Sequence, residues 1–140
     1  MSSKTNRKTC LIIVAAFLIA SCGNANADFT FGTPTNLGPT LNSSSGDGHA
    51  HTSADDLSLY FSSDRPGGFG DWDLYVATRE TTHDDWGPPV NLGPTVNSPR
   101  GDWGPNLSAD GLTLFFASDR PGGYGSFDIW VTTRTTTDAD

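Results

Sequence analysis

LSLYFSSDRPGGFGDWDLYVATR, Leu57 to Arg79, returns as LTLFFASDRPGGYGSFDIWVTTR, Leu112 to Arg134. The two copies lie 55 residues apart, and the offset holds without a gap from Asn36–Arg79 onto Asn91–Arg134. Of those 44 positions, 26 are identical. A repeat this long means that one supersecondary unit is built twice, and the fold must be read from that unit.

Each copy reads as strand, tight loop, strand. Leu57, Leu59 and Phe61 alternate with Ser58, Tyr60 and Ser62, and Leu112, Leu114 and Phe116 alternate with Thr113, Phe115 and Ala117. Alternation at period two marks a strand. Aromatics on both faces predict sheets sandwiched between neighbours. Asp64-Arg65-Pro66-Gly67-Gly68 breaks the strand, as Asp119-Arg120-Pro121-Gly122-Gly123 does in the second copy. Proline presets φ there, and glycine supplies the positive φ that a reversal needs. The chain resumes at Asp73 and Asp128 with runs of β-formers. Ser53-Ala54-Asp55-Asp56 and Ser108-Ala109-Asp110-Gly111 are turn chemistry before the first strand of each copy.

The pattern S-A-D-G-L-x-L-F-F-x-S-D-R-P-G-G-x-G-x-x-D-I-W resembles the WD40-like β-propeller repeat of the TolB type. In that family each repeat is one four-stranded blade. The resemblance implies an all-β chain of two antiparallel blades over residues 31–134, a partial propeller, with repeats at about 36–90 and 91–134. Copy one departs from the pattern in having Asp56 where copy two has Gly111. Two blades are also fewer than a closed propeller needs. The implied strand order is one outer strand at Thr33–Leu37, one full blade over Gly48–Leu92, and three strands over Trp103–Thr133. The N-terminal strand is then available to complete the second blade.

Residues 1–27 read as an export signal rather than as fold. Lys4, Arg7 and Lys8 precede an apolar run from Leu11 to Ala20, which is too short to span a bilayer. Its end offers two processing sites. Ile19-Ala20-Ser21-Cys22 resembles a lipobox, with Cys22 as the lipidated residue, and Ala25-Asn26-Ala27 fits ordinary signal peptidase. The expected location is therefore periplasmic or outer-membrane-anchored as a lipoprotein, and otherwise secreted. Cys10 and Cys22 are the two cysteines, so the folded part has neither a disulfide framework nor a thiol for catalysis. Residues 135–140 read as a polar tail.

Beyond Ala27 the chain keeps all sixteen acids but only five basic residues, Arg65, Arg79, Arg100, Arg120 and Arg134, for a net charge of −11. Nucleic-acid binding requires a basic footprint and is excluded. Charge-driven attachment to an anionic membrane is excluded too, which leaves a lipid on Cys22 as the only membrane link.

Asp64, Arg65 and Asp73, with Asp119, Arg120 and Asp128, are the tempting catalytic set. Their complete duplication argues instead for a structural repeat loop, in which Asp accepts turn N–H groups and Arg pairs with a carboxylate. Asp64, Asp71 and Asp73 are a weak oxygen set for calcium, because copy two has Ser126 in place of Asp71. His49 and His51 lie two apart and so on one face of a strand, but two imidazoles fall short of a zinc site. The better reading of His49 and His51, with Trp103 and Asn106, is a binding face on the inner strands. There the copies differ most. No catalytic residue, metal or cofactor is expected.

The functional expectation is a non-catalytic binding or scaffold module of the bacterial cell envelope. Its loops would meet protein or glycan partners. The alternative is a blade fragment of a larger propeller peptidase or glycosidase. A homo-oligomer is a further expectation, with Thr33–Leu37 of one chain beside Asp128–Thr133 of the next and three chains closing a six-bladed ring. The competing arrangement folds Thr33–Leu37 back onto its own last sheet.

Overall fold

A computed structural model of the chain describes residues 30–137. The 1–27 segment with Cys22, and the last three residues of the polar tail, lie outside the described residues. Among those described there is no helix, and the structure is all-β. Four strands come first: β1 (Asp47–Thr52), β2 (Ser58–Ser63), β3 (Asp73–Thr78) and β4 (Val90–Asn91). Three follow: β5 (Asp102–Leu107), β6 (Thr113–Ser118) and β7 (Asp128–Thr133). They form two antiparallel sheets in sequence order, β1-β2-β3-β4 and β5-β6-β7.

The repeat in sequence is a repeat in register. β5, β6 and β7 start and stop 55 residues after β1, β2 and β3. Ser63 faces Asp73 across the first hairpin, and Ser118 faces Asp128 across the second. The first strand of each sheet also carries the same β-bulge, between Gly48 and His51 in β1 and between Trp103 and Asn106 in β5. The bulged residue is left-handed in both, with φ of 54° at His49 and 62° at Gly104. Pro105 is accommodated at this bulge, where the ladder is already interrupted.

The alternation in β2 and β3 sends apolar side chains to both faces of the first sheet. Leu59, Phe61, Tyr75 and Ala77 close one face with Leu41, and Trp86 packs against them. Tyr60 and Leu74 close the other face with Leu107, Leu114 and Phe116 of the second sheet. Burying a large apolar side chain contributes about 1.5–3 kcal/mol, so this inter-sheet layer holds the two sheets together. The layer is also stitched by hydrogen bonds. Asn97 takes the Leu74 N–H on its Oδ1 at 2.8 Å and donates its Nδ2 to the Leu74 carbonyl at 3.0 Å. Leu92 N donates to the same carbonyl at 3.0 Å, and Asp102 N to the Trp72 carbonyl at 2.8 Å.

Two expectations need correction. Thr33–Leu37 is not a strand, and it does not complete the second sheet, which has three strands. Two consecutive residues suffice for the equivalent strand β4, because β3 lies beside it to accept the pairing. The expected sandwiching between neighbours also fails for the second sheet. The second sheet is covered on one face only, and Phe115, Ile129 and Val131 on its other face are exposed.

Candidate functional site

The Asp-Arg-Pro-Gly-Gly loops tie their charged groups to their own turns. Arg65 lies with its guanidinium carbon 5.0 Å from the ring centres of both Phe61 and Tyr75. From there it donates to the Leu41 carbonyl and to Asp47 Oδ1, each at 2.6 Å, and to Ser63 Oγ at 3.0 Å. Arg120 repeats every contact. It lies over Phe116 and Trp130, and it bonds the Val96 carbonyl, Asp102 Oδ1 and Ser118 Oγ. A planar cation suits this place because it stacks and forks its donors at once.

The acids of the loops are occupied as well. Asp64 Oδ1 accepts the Gly46 N–H at 2.6 Å, and Asp119 Oδ1 accepts that of Gly101 at 2.9 Å. Arg100 adds an ion pair to Asp119 at 3.2 Å. Asp73 Oδ2 accepts the N–H groups of Phe69 and Gly70, and Asp128 Oδ2 accepts those of Tyr124 and Gly125. Gly67 and Gly122 supply the positive φ, at 93° and 101°. Gly68 and Gly123 serve a different need: a Cβ on either would stand under 2 Å from the Asp73 or Asp128 carboxylate. Pro66 and Pro121 complete each turn ahead of these glycines. Each charged group of the loops makes at least one bond to its own turn, while the buried Asp73 Oδ1 has no partner among the described residues.

Asp47 shows the electrostatic consequence. Burial pushes its carboxyl up, but hydrogen bonds from Ser63, Arg65 and Ser43 outweigh that and bring it from 3.8 to about 2.

The four residues expected to share a binding face are divided by the structure. The bulge breaks the period-two alternation, so His49 and His51 are not a same-face pair. His49 is exposed, while His51 Nε2 lies 3.2 Å from the Leu107 carbonyl and joins the two sheets. Trp103 packs edge-on against Phe127 with ring centres 4.9 Å apart. Asn106 is exposed on β5. What remains is a rim along neighbouring β1 and β5 with His49 and Asn106 open to solvent. Among the described residues, no group of three or more His, Cys, Asp or Glu side chains converges as a metal site would require.

A polar cleft that the sequence reading did not single out lies between the two Ser-Ala-Asp turns. It has a volume of about 380 Å³ and is lined by Ser53, Asp55, Ser58, Asp110 and Arg134 among others. Its signal in the sequence was the turn motif itself, placed twice. Ser53 Oγ donates to Asp55 Oδ1 at 2.6 Å and Ser108 Oγ to Asp110 Oδ1 at 2.5 Å. These bonds, and then the N–H groups of Leu57 and Leu112, hold both carboxyls below their ordinary value. The cleft therefore presents two persistent anions and one arginine, a lining suited to a polar ligand with donor groups.

No family model matches the chain, and no curated protein or solved structure does so either.

Proposed function

We propose that the chain is a non-catalytic binding or scaffold module of the bacterial cell envelope, built as two β-propeller blades of the TolB type and exported by its first 27 residues. The observation that carries this reading is that every charged group of the repeated loops is tied to its own turn in the same way in both copies. Asp64, Arg65 and Asp73, and equally Asp119, Arg120 and Asp128, are bound to backbone N–H groups, carbonyls, serines and aromatic rings. A general acid or nucleophile needs a free lone pair or proton facing a substrate. Groups committed twice over to identical turns serve the turns. Differences between the copies then carry recognition. They gather on β1 and β5, where His49 and His51 stand in place of Gly104 and Asn106, and Gly48 in place of Trp103. The acidic cleft between the turns adjoins Leu107 at the end of β5. Partners are envelope proteins or glycans rather than polyanions, as the strong negative charge requires.

The test pairs an activity screen with a retention assay. Purified chain is expected to leave generic ester, peptide and glycoside substrates untouched. It is expected to sediment with isolated envelope material, and His49→Ala with Asn106→Ala should release it while the melting temperature holds. Turnover that disappears in Asp64→Asn would overturn the reading in favour of a hydrolase.

A further inference from the structure

The two sheets are related by the repeat, yet their surroundings differ. On the first sheet, Tyr60 and Leu74 are 6% and 0% exposed, because the second sheet covers them. Their equivalents 55 residues later, Phe115 and Ile129, are 44% and 78% exposed. Val131, the equivalent of the half-buried Val76, is also exposed. The second sheet thus displays the face that the first sheet buries, with the same apolar character and in the same register.

What buries that face within the chain is known residue by residue. The segment from Asn91 to Asp102 crosses it, and Leu92 and Val96 pack there. Leu92 N and the side chain of Asn97 bond the main chain of Leu74, and Asp102 N bonds the Trp72 carbonyl. Gly70 is flush against the segment, since a Cβ on it would stand 2.1 Å from the Arg100 carbonyl and 2.5 Å from that of Ser98.

The N-terminal segment Asn36–Asp47 is a second copy of that crossing segment, already folded. Gly38 N bonds Asn36 Oδ1 at 2.8 Å, as Gly93 N bonds Asn91 Oδ1. Asn42 N bonds the Gly38 carbonyl at 3.0 Å, as Asn97 N bonds that of Gly93 at 2.8 Å. Asn42 Nδ2 bonds Asn36 Oδ1, Ser43 caps Asp47, and Arg65 ties down Leu41 and Asp47, each as in the second copy. Only its outward contacts are missing. Among the described residues nothing bonds Asn42 Oδ1 or Leu37 N, and Leu37 is exposed where Leu92 is packed. At the other end of the unit, the β7 edge carries the matching groups. In the register shared with Leu74, the Ile129 N–H and carbonyl point away from β6.

We propose that the exposed face and free edge of β7, with Phe115, Ile129 and Val131, dock a second copy of this chain through its Thr35–Asp47 segment and the Leu59–Phe61 face behind it. Asn42 of one chain clamps the Ile129 main chain of the other, as Asn97 clamps Leu74. Phe115 enters the apolar pocket lined by Leu37, Leu41, Leu59 and Phe61, as Tyr60 meets Leu92, Val96 and Leu114. Thr35-Asn36 adds a fourth strand beside Trp130-Val131, as β4 does beside Tyr75-Val76. The contact is heterologous, so it propagates to a closed ring or an open chain according to its rotation. It is independent of any envelope partner, and the apolar and hydrogen-bonding groups are matched because the chain already makes the equivalent contact with itself.

Light scattering coupled to size-exclusion chromatography on the purified chain tests this. Wild type is expected at a multiple of the monomer mass. Ile129→Lys spoils one side and Leu37→Lys the other, and each should elute as a folded monomer, since both side chains are exposed in the single chain. An equimolar mixture of the two variants should give a dimer of twice the monomer mass, because each retains one intact side. Gly125→Ala is a gentler check on the same surface. Its Cβ would meet nothing closer than 3.7 Å within the chain but would strike the docked Ser43–Ser45 backbone, so the assembly should weaken with the monomer's melting temperature unchanged. Monomeric wild type at all concentrations overturns the proposal. Assembly that survives Ile129→Lys overturns it as well, as does loss by Ile129→Lys with indifference to Leu37→Lys, which would mean a face-to-face dimer or another occupant.

Discussion

Asp47 ties three parts of the first unit together, since it receives Ser43, Ser63 and Arg65. Its carboxyl sits at about 2, below the 3.8 of an unfolded chain. A depressed carboxyl stabilises the fold fully above the unfolded value, and that contribution drains away as pH falls through the folded one. Stability is therefore expected to be level above pH 4 and to fall between pH 4 and 2. Asp55 and Asp110, lowered by their serine hydrogen bonds, add to the same fall. Urea titrations across that range check it. Asp47→Asn should unfold at lower urea at neutral pH and show a shallower acid decline, whereas an unchanged slope would remove Asp47 from this role. The residue scale also records a cost. His49 and Asp56 hold φ of 54° and 59°, where the second copy has Gly104 and Gly111. The turn geometry is common to both copies, and only the second copy meets it without side-chain strain.

The hairpins β2–β3 and β6–β7 are the elements most plainly written in the chain. Their strands are continuous β-formers, and their loops combine a preset proline, a left-handed glycine and a glycine with no room for Cβ. Gly67→Val is expected to cost about 1–3 kcal/mol through its φ of 93° alone, since nothing lies within 4 Å of the added Cβ. Gly48 is equally open but has ordinary φ, so Gly48→Ala should be near neutral. Thermal melts of the two variants compare them directly, and equal melting temperatures would contradict this account of the turn. The first strands, β1 and β5, were harder to read. A period-two rule puts His49 and His51 on one face, but the bulge spends two residues of β1 against one of β2 and turns them apart.

At the scale of the whole molecule, Asn97 is one of the groups that tie the sheets together. Asn97 is 3% exposed and satisfies the buried N–H of Leu74. Asn97→Ala leaves that N–H without a partner and is expected to cost about 1–3 kcal/mol. Asn42→Ala removes the same side chain from the equivalent place, where among the described residues it bonds only the exposed Asn36, and should cost less, about 0.5 kcal/mol in the separated chain. Chemical denaturation at low protein concentration measures both. Equal losses would mean that Asn97 acts within its own turn rather than between the sheets.

The sequence by itself determined the unit and its number. The 55-residue offset, the alternation in Leu57–Phe61 and Leu112–Phe116, and the Pro-Gly-Gly loops place β2, β3, β6 and β7. These are local signals, set by backbone sterics and by which side chains suit a pleated surface. Only the tertiary structure decided what the repeated charges do and which faces are covered. Arg65 and Asp73 look like reactive groups until Leu41, Phe61, Tyr75 and the Phe69 N–H are seen around them. Likewise Tyr60 and Phe115 are equivalent in the chain, yet one is buried and the other exposed. Burial depends on what stands opposite, and among the described residues the first sheet has a neighbour on that face while the second has none.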